Sequence, residues 1–191
     1  MARKKKFTRE IIINSCVELI RNEGFDTLTI RKIAKKMNSS INPIFYEFGT
    51  LDNLKRATIL KCIEIYNTFI NEVPKIDSKP YLSFGISFLR FAYLEPNIFN
   101  VLYLSNETDK LIIKFHQQEN SKAIEKIKLV TSFDLENSAI IHKNLSIAVL
   151  GLGVLLSQRK IIYNEKEITK FLIDLFNGQA LLMKEGKYEH N

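Results

Sequence analysis

Ile13, Cys16, Val17 and Ile20, then Ile30, Ile33, Ala34 and Met37, then Ile59, Cys62, Ile63 and Tyr66 repeat one spacing of three and four residues, and apolar positions keep to it along almost the whole 191-residue chain. That period lays side chains along one stripe of an α-helix. A half-buried strand needs alternation at every second residue, which no segment sustains. The chain therefore reads as all-α, and any function must be built from helices and the turns between them.

Start and stop signals divide the pattern into about nine helices. Thr8 is placed to cap the first and Gly24 to end it; Thr29 caps the second, with Leu28 stapled onto Ile33; Ser40 is expected to cap a short third helix that carries Pro43 in its first turn and runs through Phe48. After Gly49, Thr50 caps a long fourth helix from Leu51 to about Glu72, closed by Pro74. Ser78 with Pro80 starts a fifth that ends near Glu95, Pro96 opens a short sixth through Leu104, and the seventh extends from about Thr108 to Val130. The eighth spans Leu135 to Gln158, and the capping box Asn164 with Glu167 begins a ninth that continues to Lys184.

Charge is distributed unevenly. Residues 1–56 carry twelve Lys and Arg against six Asp and Glu, whereas the remaining stretch carries sixteen against fifteen, so nearly all of the net charge of +7 sits at one end. A localised basic module suits a polyanion, because neutralising phosphates releases counterions. Inside that module two short helices follow a longer one across a tight polar turn, the helix-turn-helix pattern, and the second of the pair is the candidate recognition helix.

Other classes of function find little support. Cys16 and Cys62 fall inside apolar helical stripes and read as buried thiols of a reducing cytoplasm. The basic start has no apolar run of a signal peptide behind it, and the most apolar stretch, Leu145 to Leu156, is about a dozen residues, against the roughly 20 that a bilayer requires. A cytoplasmic protein without a membrane segment is expected. His116 and Glu119 lie three apart on one helix, but one His and one carboxylate do not make a metal site, and no catalytic or cofactor motif occurs.

The stretch Gly24-Phe25-Asp26-Thr27-Leu28-Thr29-Ile30-Arg31-Lys32-Ile33-Ala34 resembles the entry into the second helix of TetR-family transcriptional regulators. Ser40-Ile41-Asn42-Pro43-Ile44-Phe45-Tyr46-Glu47-Phe48-Gly49-Thr50-Leu51-Asp52-Asn53-Leu54 is similar to that family's recognition helix and the turn behind it. The resemblance implies a DNA-binding domain over residues 1–50 and a helical effector-binding and dimerisation domain over 51–191. It implies DNA contacts from Arg31, Thr29, Ser40, Asn42, Pro43, Tyr46 and Lys55, with Ile44 and Phe48 turned inward. Lys5, in the basic run from Arg3 to Lys6, reads either as part of an arm along the neighbouring groove or as part of a solubilising tail. Three positions depart from the family pattern: Phe45 where a phosphate-binding Tyr is common, Glu47 where a His is frequent and Leu51 where a Lys is frequent.

Beyond residue 57 the chain is rich in Phe and Tyr. The resemblance implies a pocket for an apolar or aromatic small-molecule effector, for which Tyr66, Phe69, Phe88, Tyr103 and His142 are the candidates. It also implies a homodimer formed by the last two helices, where Ala148, Gly151 and Gly153 permit close approach, and hence recognition of a palindromic double-stranded operator. The reading is of a non-enzymatic repressor without a cofactor, released from DNA by its effector. The alternatives are a DNA binder of the same fold that needs no effector and a helical ligand-binding protein.

Overall fold

The computed structural model describes residues 6–72, 80–105 and 110–185. Among these it contains nine α-helices and no strand: α1 Arg9–Glu23, α2 Ile30–Lys36, α3 Asn42–Phe48, α4 Leu51–Glu72, α5 Pro80–Leu94, α6 Pro96–Tyr103, α7 Lys110–Thr131, α8 Leu135–Ser157 and α9 Glu165–Lys184. One single-turn 3-10 helix, Phe25–Thr27, stands between α1 and α2. Lys5, Pro74, Ser78 and Thr108, to which the sequence reading gave roles, lie outside the described residues.

The chain divides into two compact units, Met1–Asn67 with Glu95–Ile113, and Thr68–Leu94 with Lys114–Asn191. Most of α4, together with α6, clusters with the three N-terminal helices, while its last turn belongs to the second unit.

In the first unit, local chemistry sets each helix end. The Thr8 hydroxyl accepts from Ile11 N–H at 3.3 Å, and Thr29 does the same for Lys32 N–H at 3.2 Å. Gly24 and Gly49 hold φ of 85° and 73°, a region costly for any residue with a Cβ, and each returns its N–H to the helix it ends. Thr50 caps α4 by accepting from Asn53 N–H at 3.1 Å. The buried faces meet around α1, which packs on α2, α3 and α6. Ile12, Cys16, Val17 and Ile20 form its inward stripe, joined by Phe25, Leu28, Ile33, Ile44, Phe48 and Leu54.

One cap differs from expectation. Ile41, not Ser40, occupies the N-cap position of α3, and no side chain satisfies the first turn. Instead Ser39 Oγ donates to Ser40 C=O. Pro43 in the first turn removes one of the N–H groups that a Ser cap would serve.

In the second unit α5 packs on α8 and α9, and α8 on α9. Asp134 caps α8 through Asn137 N–H at 2.8 Å. Asn164 caps α9 as expected, its Oδ1 accepting from Lys166 and Glu167 N–H, and Glu167 Oε1 answers by accepting from the Asn164 side-chain Nδ2 at 2.9 Å, where a capping box would use the backbone N–H. Ile127, Ile141 and Leu145 form a buried cluster, flanked by Tyr81, Phe133, Leu175, Phe176 and Met183. A Cβ on Gly85 of α5 would stand 3.2 Å from Leu172 Cδ1 of α9, so the glycine lets these two helices approach.

α8 also corrects the estimate of its apolar length. The run does not stop at Leu145, and the 23-residue helix is long and apolar enough to cross a membrane by length and composition alone. Only 22% of its most apolar window is buried in the chain. Ile147, Gly151 and Leu155, one helical turn apart, form an exposed stripe, whereas Gly153 is buried inside the unit.

Candidate nucleic-acid interface

The helix-turn-helix begins with α2, whose basic residues are not equivalent. Lys32 and Lys36 are tied back to α1, with Nζ 2.7 Å from Glu23 Oε2 and from Glu18 Oε2 respectively. The Lys36 ammonium holds the Glu18 carboxyl below its usual range. Arg31 and Lys35 are exposed and, among the described residues, carry no ion pair. These two cations are therefore available to a polyanion.

After α2 the chain turns at Asn38, whose φ of 50° is one that Asn tolerates better than most residues, and Ser39 N–H returns to Ala34 C=O at 2.9 Å. α3 then buries Ile44 and Phe48 and exposes Asn42, Phe45 and Tyr46, the last at 79%. Arg9 of α1 fixes the far end of α3: its Nη1 donates to Glu47 C=O at 3.0 Å, and its guanidinium lies 4.2 Å from the Phe48 ring centroid. Arg9 thus orients the helix while remaining exposed, a role that charge counting did not separate from the other cations. Lys55, at the start of α4, holds Nζ 5.3 Å from the Phe25 ring centroid.

A seven-residue helix is about 10 Å long and fits a major groove about 12 Å wide. Its exposed Asn offers the donor and acceptor pair that matches adenine, and its exposed apolar surface, Ile41 and Phe45, suits thymine methyls.

Solved structures similar to this chain include bacterial transcriptional regulators. A TetR-like regulator from Rhodococcus sp. RHA1 superposes with a TM-score of 0.67 at 17% identity, covering 96% of this chain and 100% of the other. A TetR-family protein from Streptomyces coelicolor A3 gives 0.66 at 14% identity over 87% and 96% of the two chains. The chain has the TetR fold. NalD, the secondary repressor of the MexAB-OprM multidrug efflux pump in Pseudomonas aeruginosa, shares it at 0.54 and 15% identity, over 89% of this chain and 94% of that one. In sequence, an uncharacterised HTH-type transcriptional regulator of Mycobacterium tuberculosis is 29% identical over 73 residues, which are 38% of this chain and 34% of that protein. No family model matches.

Within the TetR fold, the three unusual positions turn out to differ in kind. Phe45 is 46% exposed, so the missing phenol hydroxyl is a change on the outer surface. Glu47 has its Oε1 buried, so that oxygen is withheld from the outer face. Leu51 is half-buried at the first position of α4.

The five effector candidates separate. Tyr66 and Tyr103 belong to the first unit, with ring centroids 6.0 Å apart, and Tyr103 stacks on Phe99 at 5.0 Å. Phe69 meets Phe91 edge-on at 5.3 Å in the second unit, where Phe88 is buried. His142 stands beside Tyr81, ring centroids 6.4 Å apart. A cavity in this unit is lined by Tyr81, Leu82, Val130, Leu172, Ile173, Phe176 and Asn177, and none of the five candidates is among these. Among the described residues no group of His, Cys, Asp and Glu is arranged to hold a metal.

Proposed function

We propose that this chain is a TetR-type transcriptional repressor that binds a palindromic operator as a homodimer in the cytoplasm and leaves it when a small apolar or aromatic effector binds. The observation that carries the reading is the outer face of α3. Asn42 and Tyr46 stand exposed on a short helix whose other side, Ile44 and Phe48, is locked into the core of a basic head. Arg31 of α2 supplies a guanidinium for a guanine or a phosphate, Thr29 and Ser40 supply polar contacts, Pro43 an apolar one, and Lys55 a backbone contact.

The dimer is supported by the stripe Ile147, Gly151 and Leu155 on α8, and by Phe171, Gly178 and Leu182 on α9. An exposed apolar strip along two adjacent helices is costly in water, and a second copy laid across it makes a four-helix bundle. A two-fold protein then reads half-sites about 34 to 36 Å apart or multiples of it. An effector held by residues 51–191 shifts the equilibrium if it prefers the DNA-incompetent arrangement by a few kcal/mol.

Footprinting on the DNA that flanks this chain's own gene, repeated with candidate effectors, tests partner, symmetry and release together. Replacing Asn42 and Tyr46 with Ala should abolish the footprint and leave the dimer intact in gel filtration. Unchanged protection would overturn the assignment.

A further inference from the structure

Two polar atoms of α8, Ser138 Oγ and His142 Nδ1, are buried with no hydrogen-bond partner among the described residues. They lie four residues apart, so they share the face on which Ile141 and Leu145 enter the core. Burying a polar atom unpaired works against folding, and such atoms call for an explanation beyond packing. The other nitrogen of His142 is engaged: Nε2 lies 3.1 Å from Asn120 Oδ1. An amide oxygen only accepts, so Nε2 carries the ring proton and Nδ1 presents a bare lone pair. Burial disfavours the imidazolium and keeps that lone pair available near neutral pH.

Tyr81 links this pair to open space. Its ring meets His142 edge-on, at an interplanar angle of 87°, and it also lines the cavity of about 210 Å³ shared with Leu82, Val130, Leu172, Ile173 and Phe176. An apolar cavity of roughly 150 Å³ holds benzene, so this one suits a molecule of up to two fused rings. Among the described residues no charged side chain lines it, and Asn177 adds an amide to its lining. A carboxylate would find no cation among these residues and no donor at His142 Nδ1.

We infer that this cavity takes a neutral aromatic ligand bearing an O–H or N–H donor, with its rings among Leu82, Leu172 and Phe176 and its donor on His142 Nδ1 beside Ser138 Oγ. The inference names the chemical class of the effector and rests on the effector-binding reading of the second unit. Tyr81 sets whether the cavity and His142 connect, since its ring lines the one and meets the other edge-on.

Fluorescence titration of the full chain with 2-naphthol and 2-methoxynaphthalene tests it, because the two share their rings and differ in the donor. The naphthol should bind at least about tenfold more tightly to the wild-type chain. His142→Phe should bring its affinity to that of the ether, Ser138→Ala, which leaves the Nδ1 acceptor in place, should narrow the gap in part, and both should leave the ether unchanged. Ser138→Ala deletes one buried hydroxyl, so it keeps the comparison open should His142→Phe fail to fold. Equal affinities in the wild type, no binding of either probe, or a preference that survives both substitutions would overturn the inference. Gel shifts of the same samples on the footprinted DNA separate the two claims: if specific DNA binding persists while the probes fail, only the ligand inference falls.

Discussion

Arg21 and Glu95 meet as a planar fork, with Nε donating to Oε2 at 2.9 Å and Nη2 to Oε1 at 2.7 Å, and so join α1 to α6 across 74 residues of sequence. Asn97 adds a third tie, donating from Nδ2 to Arg21 C=O at 2.8 Å. The pair is part-exposed, which screens it, but bidentate geometry puts it at the stronger end of surface ion pairs. Glu95→Gln should cost about 1 kcal/mol in urea unfolding, within the usual range for hydrogen bonds to charged groups after screening. Arg21→Lys should lose a similar amount despite keeping its charge, since an ammonium cannot form the fork. A loss for Glu95→Gln without one for Arg21→Lys would show that charge alone matters.

Burial raises the Cys16 thiol to about 11 and the Cys62 thiol to about 12. Neither should react with a disulfide reagent at pH 8 in the native chain, and both should react once urea unfolds it. The folded state favours the protonated thiols. Their contribution is thus present below the unfolded value near pH 9 and is lost as pH rises toward 11 and 12. His142 works in the opposite direction, because burial lowers its value; its contribution is present above the unfolded value of 6.5 and is lost as pH falls through the folded one. Chemical denaturation across pH should therefore show stability falling on both sides of a plateau between about pH 7 and 9.

What the sequence made legible was local. Thr8, Thr29, Thr50 and Asn164 cap helices because a side-chain oxygen two or three residues ahead of an N–H suffices, and such offsets are visible in the chain. Ser40 misled because the same side-chain type precedes a Pro. The burial of Ile44 and Phe48 followed from helical spacing. The cavity did not, since residue 81, residue 130 and residues 172–176 meet only in the folded unit. Nor did the contrast between tethered Lys32 and Lys36 and Arg31 and Lys35, which carry no ion pair among the described residues, since it depends on where Glu18 and Glu23 of α1 fall.

That contrast gives a measurement. Arg31→Ala and Lys35→Ala should each reduce the slope of log affinity against log salt by about 1 if they meet phosphates. Lys32→Ala and Lys36→Ala should change it less, because their charges are already matched by carboxylates. On the same surface, Phe45→Tyr adds an exposed hydroxyl and should tighten DNA binding by about 2- to 10-fold, the scale of one net hydrogen bond.

Ser138→Ala should stabilise the unliganded protein. Removing a buried hydroxyl without a partner relieves its desolvation, and in a helix Ala is also favoured over Ser by a few tenths of a kcal/mol. A gain of about 1 kcal/mol in urea is expected. An unchanged or lower stability would mean that a bound water already satisfies the hydroxyl.

The exposed stripe of α8 separates monomer stability from assembly at one residue. Apart from its own helix backbone, no atom of the described residues lies within 4 Å of a Cβ built on Gly151, so Gly151→Ala has open space there and should favour the helix by about 0.8 to 1 kcal/mol. Gly151→Leu starts from the same open Cβ position, and its larger side chain would hold a partner helix away. If Gly151 sits in a dimer interface, the Leu variant should remain helical by circular dichroism and elute as a monomer, while Ile147→Lys, which puts a charge on the same stripe, does likewise. Should both variants remain dimeric, the interface lies elsewhere and the apolar stripe needs another occupant.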